Sequence, residues 1–341
     1  MTMNYFRRTE DLMMQKRKMT IRWDIALLLV LSMGLGFGAA FLIYHAQPSQ
    51  HAEVEPSLKM VRDHSYKFTR PIRYFDLTQP SGHLDAIQAQ LQALIRTDRE
   101  NGILYQASVY IRDLETGEWT SVNEEEGYHP GSLIKVPMLI YYLKEAEREP
   151  GILNRTLTLP PGVEGVPSQT FRGTEVQEGK AYTVRELLKF MVSYSDNRAT
   201  MLLNGSCDVP RFKKIFTDLG LQEPDVTDTN YAMTIRDYSV FMRVLYNATY
   251  LNAEHSDFAL DLLTQSSFQI GLQSRLPGGV TSARKFGEYM HDRKRELHES
   301  GIVYCNKKPY LITVMTKGYN SQTLAEFIGT VSDMVYRVFC S

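Results

Sequence analysis

The longest apolar stretch, from Ile25 to Tyr44, is an uncharged run of 20 residues, mostly Leu, Ala, Val, Ile, Phe and Gly. At about 1.5 Å per residue, a helix of that length covers a hydrocarbon core of roughly 30 Å, which predicts one membrane-spanning segment. Arg7, Arg8, Lys16, Arg17, Lys18 and Arg22 precede it, against Glu10, Asp11 and Asp24. That positive excess predicts a cytoplasmic segment over 1–24 and an extracytoplasmic chain after residue 44. A cleaved signal peptide is the rival. The run is longer than a usual signal core and lacks a small-residue cleavage site after it, which favours an uncleaved anchor over 25–44. From 45 to 82 the chain is polar and dotted with Pro48, Pro56, Pro71 and Pro80, the pattern of a spacer. Its later part, Tyr66 to Leu77, is richer in aromatics and suited to pack onto the C-terminal part of the chain.

Periodic order begins after residue 82. Leu84, Ile87, Leu91, Leu94 and Ile95 recur at helical spacing. Ala107 to Asp113 and Trp119 to Asn123 read as strands joined by a turn at Thr116-Gly117. Helical patterns dominate residues 132 to 265. Ile302 to Cys305 and Leu311 to Thr316 read as two more strands, and Leu324, Phe327, Ile328, Val331, Val335 and Val338 mark a closing amphipathic helix. Helix, strands, a helical block, strands and a final helix predict one mixed α/β (α+β) domain over 83–341. The expected architecture is an antiparallel sheet flanked by terminal helices, with an inserted all-α lobe.

Composition narrows the function classes. A net charge of −1 over 341 residues gives no global grip on nucleic acid. The eight histidines fall in no compact ligand spacing, and His291 and His298 lie in a highly charged stretch, so neither a metal site nor a cofactor is expected. Cys207, Cys305 and Cys340 are odd in number and widely separated. They read as incidental thiols, with a Cys207–Cys305 bridge conceivable in an oxidising compartment.

Three short stretches carry candidate chemistry. Ser132-Leu133-Ile134-Lys135 follows Tyr-His-Pro-Gly and opens a helical segment, which puts Ser132 and Lys135 one turn apart on one face. A serine hydroxyl needs a base, and a lysine can serve where its surroundings favour the neutral amine. Ser195-Asp196-Asn197 directly follows a helix opened by a Thr183/Glu186 capping box. Lys285-Phe286-Gly287 pairs a cation with a residue that lets another backbone approach closely. Each stretch alone is common: an N-cap serine, a polar turn, a surface lysine.

Taken together and in this order, the three stretches resemble the S-x-x-K, S-D-N and K-T-G set of the class A β-lactamases and their penicillin-binding relatives. The likeness extends to Thr-Val-Arg-Glu-Leu-Leu before the second motif and to Asp228-Thr229-Asn230-Tyr231-Ala232-Met233. It implies a serine hydrolase with Ser132 as the acylated nucleophile, Lys135 as its proton acceptor and Ser195 as the proton relay. It further implies Asn197, Lys285 and Gly287 as substrate-binding residues, and the backbone N–H groups of Ser132 and Glu288 as an oxyanion hole. Asp196 is expected to support the loop. The implied substrate is a β-lactam or a peptidoglycan-derived peptide, with a D,D-peptidase or transpeptidase acting on peptidoglycan stem peptides, or a catalytically silent cell-wall-binding module on the same fold, as the alternatives. With the anchor, the implied location is a bacterial cell membrane, single-pass, with the catalytic domain outside. Two departures stand out. Phe286 replaces a hydroxyl residue and cannot donate to a substrate carboxylate. The loop Gly220 to Thr227 is short around Glu223, the one candidate for a deacylating base, with Thr227 at the place of the family's asparagine.

Overall fold

Strands that alternate their buried side chains between two faces build the centre of the domain, an antiparallel sheet with helices on both sides. The computed structural model describes residues 58–63, 71–77, 80–163, 169–225, 231–291, 293–305 and 308–340. In chain order its elements are β1 (Leu58–Arg62), β2 (Ile72–Leu77), α1 (Asp85–Glu100), β3 (Leu104–Asp113), β4 (Trp119–Val122) and β5 (Gly127–Tyr128). Then come a 3₁₀ turn (Gly131–Ile134), α2 (Lys135–Arg148), β6 (Thr156–Thr158), β7 (Ala181–Thr183), α3 (Val184–Ser193), α4 (Asn197–Asn204) and α5 (Val209–Asp218). The chain closes with β8 (Met233–Thr234), α6 (Ile235–Tyr246), α7 (Ala253–Thr264), β9 (Thr281–His291), β10 (Lys294–Tyr304), β11 (Tyr310–Gly318) and α8 (Ser321–Cys340).

The five-stranded sheet runs β4-β3-β11-β10-β9, which leaves β9 at an open edge. The period of two divides its side chains between two cores. Val109, Ile111, Leu297, Val303, Ile312 and Val314 face α1 and α8, packing with Ile87, Leu91, Phe327, Ile328 and Val331. Tyr110, Ala283, Ile302, Leu311 and Met315 face the helical lobe, packing with Val136, Leu139, Leu187 and Phe241. The expected mixed architecture is therefore the observed one.

Three features differ from the hydrophobic pattern. The segment expected as spacer is not spacer throughout, because β1 and β2 pair into a hairpin that joins the domain. Tyr74 is buried there, the Trp119 indole donates to Leu77 O at 2.7 Å, and Asp76 accepts from Arg112 at 2.7 Å and pairs with Arg243 at 3.2 Å. Burial raises the cost of that carboxylate's charge, but Arg243 and Arg112 more than offset it and hold Asp76 below the usual range. Second, the charged stretch around residue 290 is two paired strands, with β9 and β10 in register from Thr281↔Tyr304 to His291↔Lys294. Arg284 and Glu299 form a buried ion pair there at 3.2 Å, and His298 is fully buried. Third, the bridge joins Cys305 to Cys340 rather than to Cys207, which is a free thiol. Its Cα atoms lie 5.9 Å apart and 35 residues apart in sequence, tying the end of β10 to the end of α8. Closing a loop of that size stabilises a fold by about 3–4 kcal/mol in the chain-entropy account.

The apolar run 25–44 lies outside the described residues. Among those described, no helix is long and apolar enough to cross a membrane.

Candidate active site

The site forms where the 3₁₀ turn, the loop between α3 and α4, and β9 meet. The turn places Ser132 and Lys135 three residues apart, and the Lys135 N–H donates back to Ser132 O. In 3₁₀ geometry residues i and i+3 nearly eclipse, so both side chains leave on one side. Ser132 is half-buried, and its hydroxyl makes no hydrogen bond among the described residues. Lys135 is 2% exposed at the start of α2.

The second motif is held by its neighbours. The Thr183/Glu186 capping box fixes the start of α3, and the carboxylate of Asp196 caps α4 by accepting from Arg198 N–H at 2.8 Å. The other Asp196 oxygen accepts from Val176 N–H at 2.7 Å, so this side chain is structural, as expected. Between them Ser195 is fully buried with φ +57, a left-handed conformation uncommon for a non-glycine residue. Strain of this kind persists only where surrounding contacts enforce it. Here Ser195 O accepts from Lys135 Nζ at 2.7 Å and from Gln169 Nε2 at 2.8 Å.

β9 brings the third motif. Lys285, fully buried, donates to Ser195 Oγ at 2.8 Å and to Phe286 O at 2.8 Å. Lys135 Nζ approaches the same hydroxyl at 3.3 Å and donates to Asn197 Oδ1 at 2.7 Å. Two lysine nitrogens thus converge on one serine oxygen in a site closed to bulk water. Burial pushes the Lys135 ammonium down to about 7, with Asp196 opposing. Lys285 falls well below its ordinary value through burial and the nearby Lys135, with Glu299 opposing.

Two glycines let β9 touch the turn. A Cβ on Gly287 would sit 2.5 Å from Pro130 O and 2.8 Å from Leu133 N. Gly131 has φ +50, and a Cβ there would lie 2.4 Å from Glu288 O. The Glu288 backbone is therefore pressed against the residue before Ser132. Its side chain turns elsewhere, accepting from Thr170 N–H at 2.9 Å and from the Ser321 hydroxyl at 3.2 Å.

The structure thus gathers Lys135, Ser195, Asn197 and Lys285 directly, with Gly287 and Glu288 against the Ser132 turn. Glu223 does not join them: it is exposed and makes no hydrogen bond or ion pair among the described residues. Thr227 to Asn230 lie outside those residues. Phe286 points to the opposite face, 3% exposed, stacked on Phe268 at 4.3 Å and edge-on to Phe171 at 6.4 Å. The Lys285 ammonium sits 4.3 Å above its ring centre, so the phenyl group supports the lysine by a cation–π contact. Sequence reasoning missed Gln169, for which no pattern existed. It also missed a cluster around His129 and His298, although His129 stands inside the Tyr-His-Pro-Gly-Ser context. Among the described residues, no group of three or more His, Cys, Asp or Glu side chains is arranged to hold a metal ion.

A five-stranded sheet between two helical layers, with these motifs beside its edge strand, is the fold of the β-lactamase and penicillin-binding type of serine hydrolase. The chain belongs to the β-lactamase enzyme family, whose model matches residues 86–339. Among solved structures, PBP-A is 23% identical with a TM-score of 0.65, covering 76% of this chain and 98% of its own. A β-lactamase from Chitinophaga pinensis is 17% identical, with a TM-score of 0.64 and coverage of 74% and 99%. A class A β-lactamase from Mycobacterium abscessus is 20% identical, with a TM-score of 0.61 and coverage of 74% and 98%. A substituted PBP-A, 22% identical with a TM-score of 0.63 and coverage of 76% and 98%, is an acyl-enzyme complex with penicillin G. No curated protein matches the sequence.

Proposed function

We propose that this chain is a membrane-anchored acyl-serine hydrolase that opens an amide or β-lactam by forming an ester on Ser132. The observation that carries the reading is the convergence of two buried lysines on Ser195 Oγ, one of which, Lys135, lies one tight turn from Ser132. A neutral amine has two N–H bonds and one lone pair. Ser195 O and Asn197 Oδ1, both at 2.7 Å, can accept only, so they take both Lys135 protons and leave the lone pair for a hydroxyl proton. Ser132 Oγ then attacks the substrate carbonyl while Lys135 accepts its proton. Ser195, held by Lys285, passes a proton to the departing nitrogen, and Asn197 and Lys285 orient the substrate. The N–H groups of Ser132 and Glu288 serve as the oxyanion hole. Phe286 O turns towards Lys285 off the open edge of β9, and the strand's period of two aims Glu288 N–H off the same edge.

A fluorescent penicillin should label wild-type protein on Ser132, and Ser132→Ala should remove both label and any hydrolysis. Unchanged turnover in that variant would reject the mechanism. Exposure of Glu223 favours a second reading, a D,D-peptidase or transpeptidase acting on peptidoglycan stem peptides. Penicillin G on the related PBP-A fits either reading. The anchor rests on the run 25–44 and its basic flank. The protein should fractionate with membranes and be digested by protease added outside spheroplasts, and a soluble product starting after residue 44 would contradict this.

A further inference from the structure

His129 lies three residues before Ser132, and Tyr289 lies one residue after Glu288. Their rings stack at 3.7 Å with an interplanar angle of 16°. His129 Nδ1 accepts from Gly131 N–H at 3.1 Å, the i to i+2 contact that an Asn or Asp side chain makes in an Asx turn. The backbone of the same residue is held from β10. Its N–H donates to Glu296 at 3.0 Å, and its carbonyl accepts from His298 Nε2 at 3.0 Å. Because His298 Nδ1 accepts from Thr316 N–H at 3.2 Å, the His298 proton sits on Nε2 and the bond to His129 has a fixed direction.

We infer that His129 is a positioning residue for the oxyanion hole, registering the Ser132 turn against the Glu288 strand through the Gly131 amide and the Tyr289 ring. The inference rests on the acyl-serine reading above. Gly131 at φ +50 sets the peptide that carries the Ser132 N–H, and its own N–H is tied to the imidazole. That imidazole lies flat on the residue following Glu288. A Cβ on Gly131 would be 3.0 Å from Glu288 N, so even a small rotation of the turn changes the spacing of the two donors. His129 has no role in bond making. It decides whether both donors point at one oxygen.

Nδ1 accepts only when unprotonated. Burial holds His129 below its ordinary pKa, with Glu296 pulling it up and His298 pulling it down. Tyr289 covers one face of the ring, and Tyr105, His291, Lys294 and Lys317 face it across a cavity of about 340 Å³. Protonation would set an N–H against the Gly131 N–H and loosen the turn. As pH falls, two protonations therefore act against acylation, that of Lys135 near 7 and that of His129, which burial holds below its ordinary value. The logarithm of the acylation rate should fall with a slope of one proton and then steepen to two.

The test is single-turnover acylation of the full-length protein in vesicles by fluorescent penicillin, followed down the acid limb. His129→Phe keeps the stack but loses the acceptor. Its acylation rate constant should drop about tenfold to a hundredfold with penicillin affinity unchanged, and its limb should stay at one proton. His129→Asn keeps an acceptor that does not titrate, so it should recover most of the rate while also staying at one proton. Thermal melting reports whether each variant is folded, and if His129→Phe is not, His129→Asn decides through its slope. A wild-type rate in folded His129→Phe, or a two-proton limb in either variant, overturns the inference while leaving Ser132 as nucleophile. Absence of label from wild-type Ser132 overturns the acyl-serine reading and this inference with it.

Discussion

Replacing Lys135 with methionine should slow acylation of Ser132 by about 10²–10⁴-fold, the range expected when a general base is removed. The substitution fits the volume of a 2%-exposed site, so the loss reports chemistry rather than a cavity. The pH profile makes the assignment specific. Lys135, pushed down to about 7 by burial, accepts a proton only above that value, so wild-type acylation should rise as pH increases through it. The sign follows from the charge: the protonated form is the cation that burial disfavours, and only the neutral form has a lone pair. In Lys135→Met the rise near 7 should vanish along with the rate. A surviving limb at the same pH would transfer the base to another group, with Lys285 the first to examine.

A chromogenic cephalosporin should give a stoichiometric burst followed by a slow phase, because the groups proposed for acylation converge while, among the described residues, no further base joins them. Hydrolysis of the ester needs a second base to hold a water against it. Carboxylates around the cluster are engaged, Asp196 with two backbone N–H groups, Glu288 with Thr170 and Ser321, and Glu299 with Leu272 N–H and Arg284. Glu223 is exposed and bonds to none of the cluster. A misplacement of about 1 Å can cost roughly a hundredfold, so a base that is not held in the site gives little help. Glu223→Gln should therefore leave the slow phase within about twofold of wild type. Rapid turnover without a burst, cut about a thousandfold by Glu223→Gln, would refute this and make the protein a working β-lactamase.

Much of this arrangement was legible in the sequence because it depends on local signals. The capping box at Thr183 and the Gly in Lys-Phe-Gly each state a backbone requirement that a few residues can meet. The closing helix and the central strands were legible because Leu, Ile and Val repeat at the right period. The length of β9 and β10 was not. Arg284, His298, Glu299 and Ser300 are polar, and all are buried. Each is satisfied by a partner distant in sequence, such as Glu299 with Leu272 N–H or Ser300 with Thr313, so hydrophobic period misreads them as solvated. Phe286 misled in a different way. Its loss of a hydroxyl was plain, but its place in a ring stack with Phe268 depends on a loop that no local pattern ties to β9. The Cys305–Cys340 pair likewise needed the packing of α8 against the sheet before its geometry could be judged.

The open edge of β9 carries a cost of its own. Off that edge β9 presents backbone groups that no further strand pairs among the described residues, the kind of template on which another chain can add a strand and begin aggregation. A barrel or a covering helix would remove the hazard and, with it, the proposed access of substrate to Ser132. Here the edge is guarded in pieces. The Pro130-Gly131 turn presses against Gly287 and Glu288, and the Thr170 N–H is tied to the Glu288 carboxylate. Beyond them Glu288, His291 and Lys294 put polar and charged groups near the hairpin end. Substitutions that clear space along β9 to admit a bulkier substrate therefore remove guards as well as walls. Such variants would lose solubility at a rate set by how much of the edge they uncover, whatever they gain in turnover.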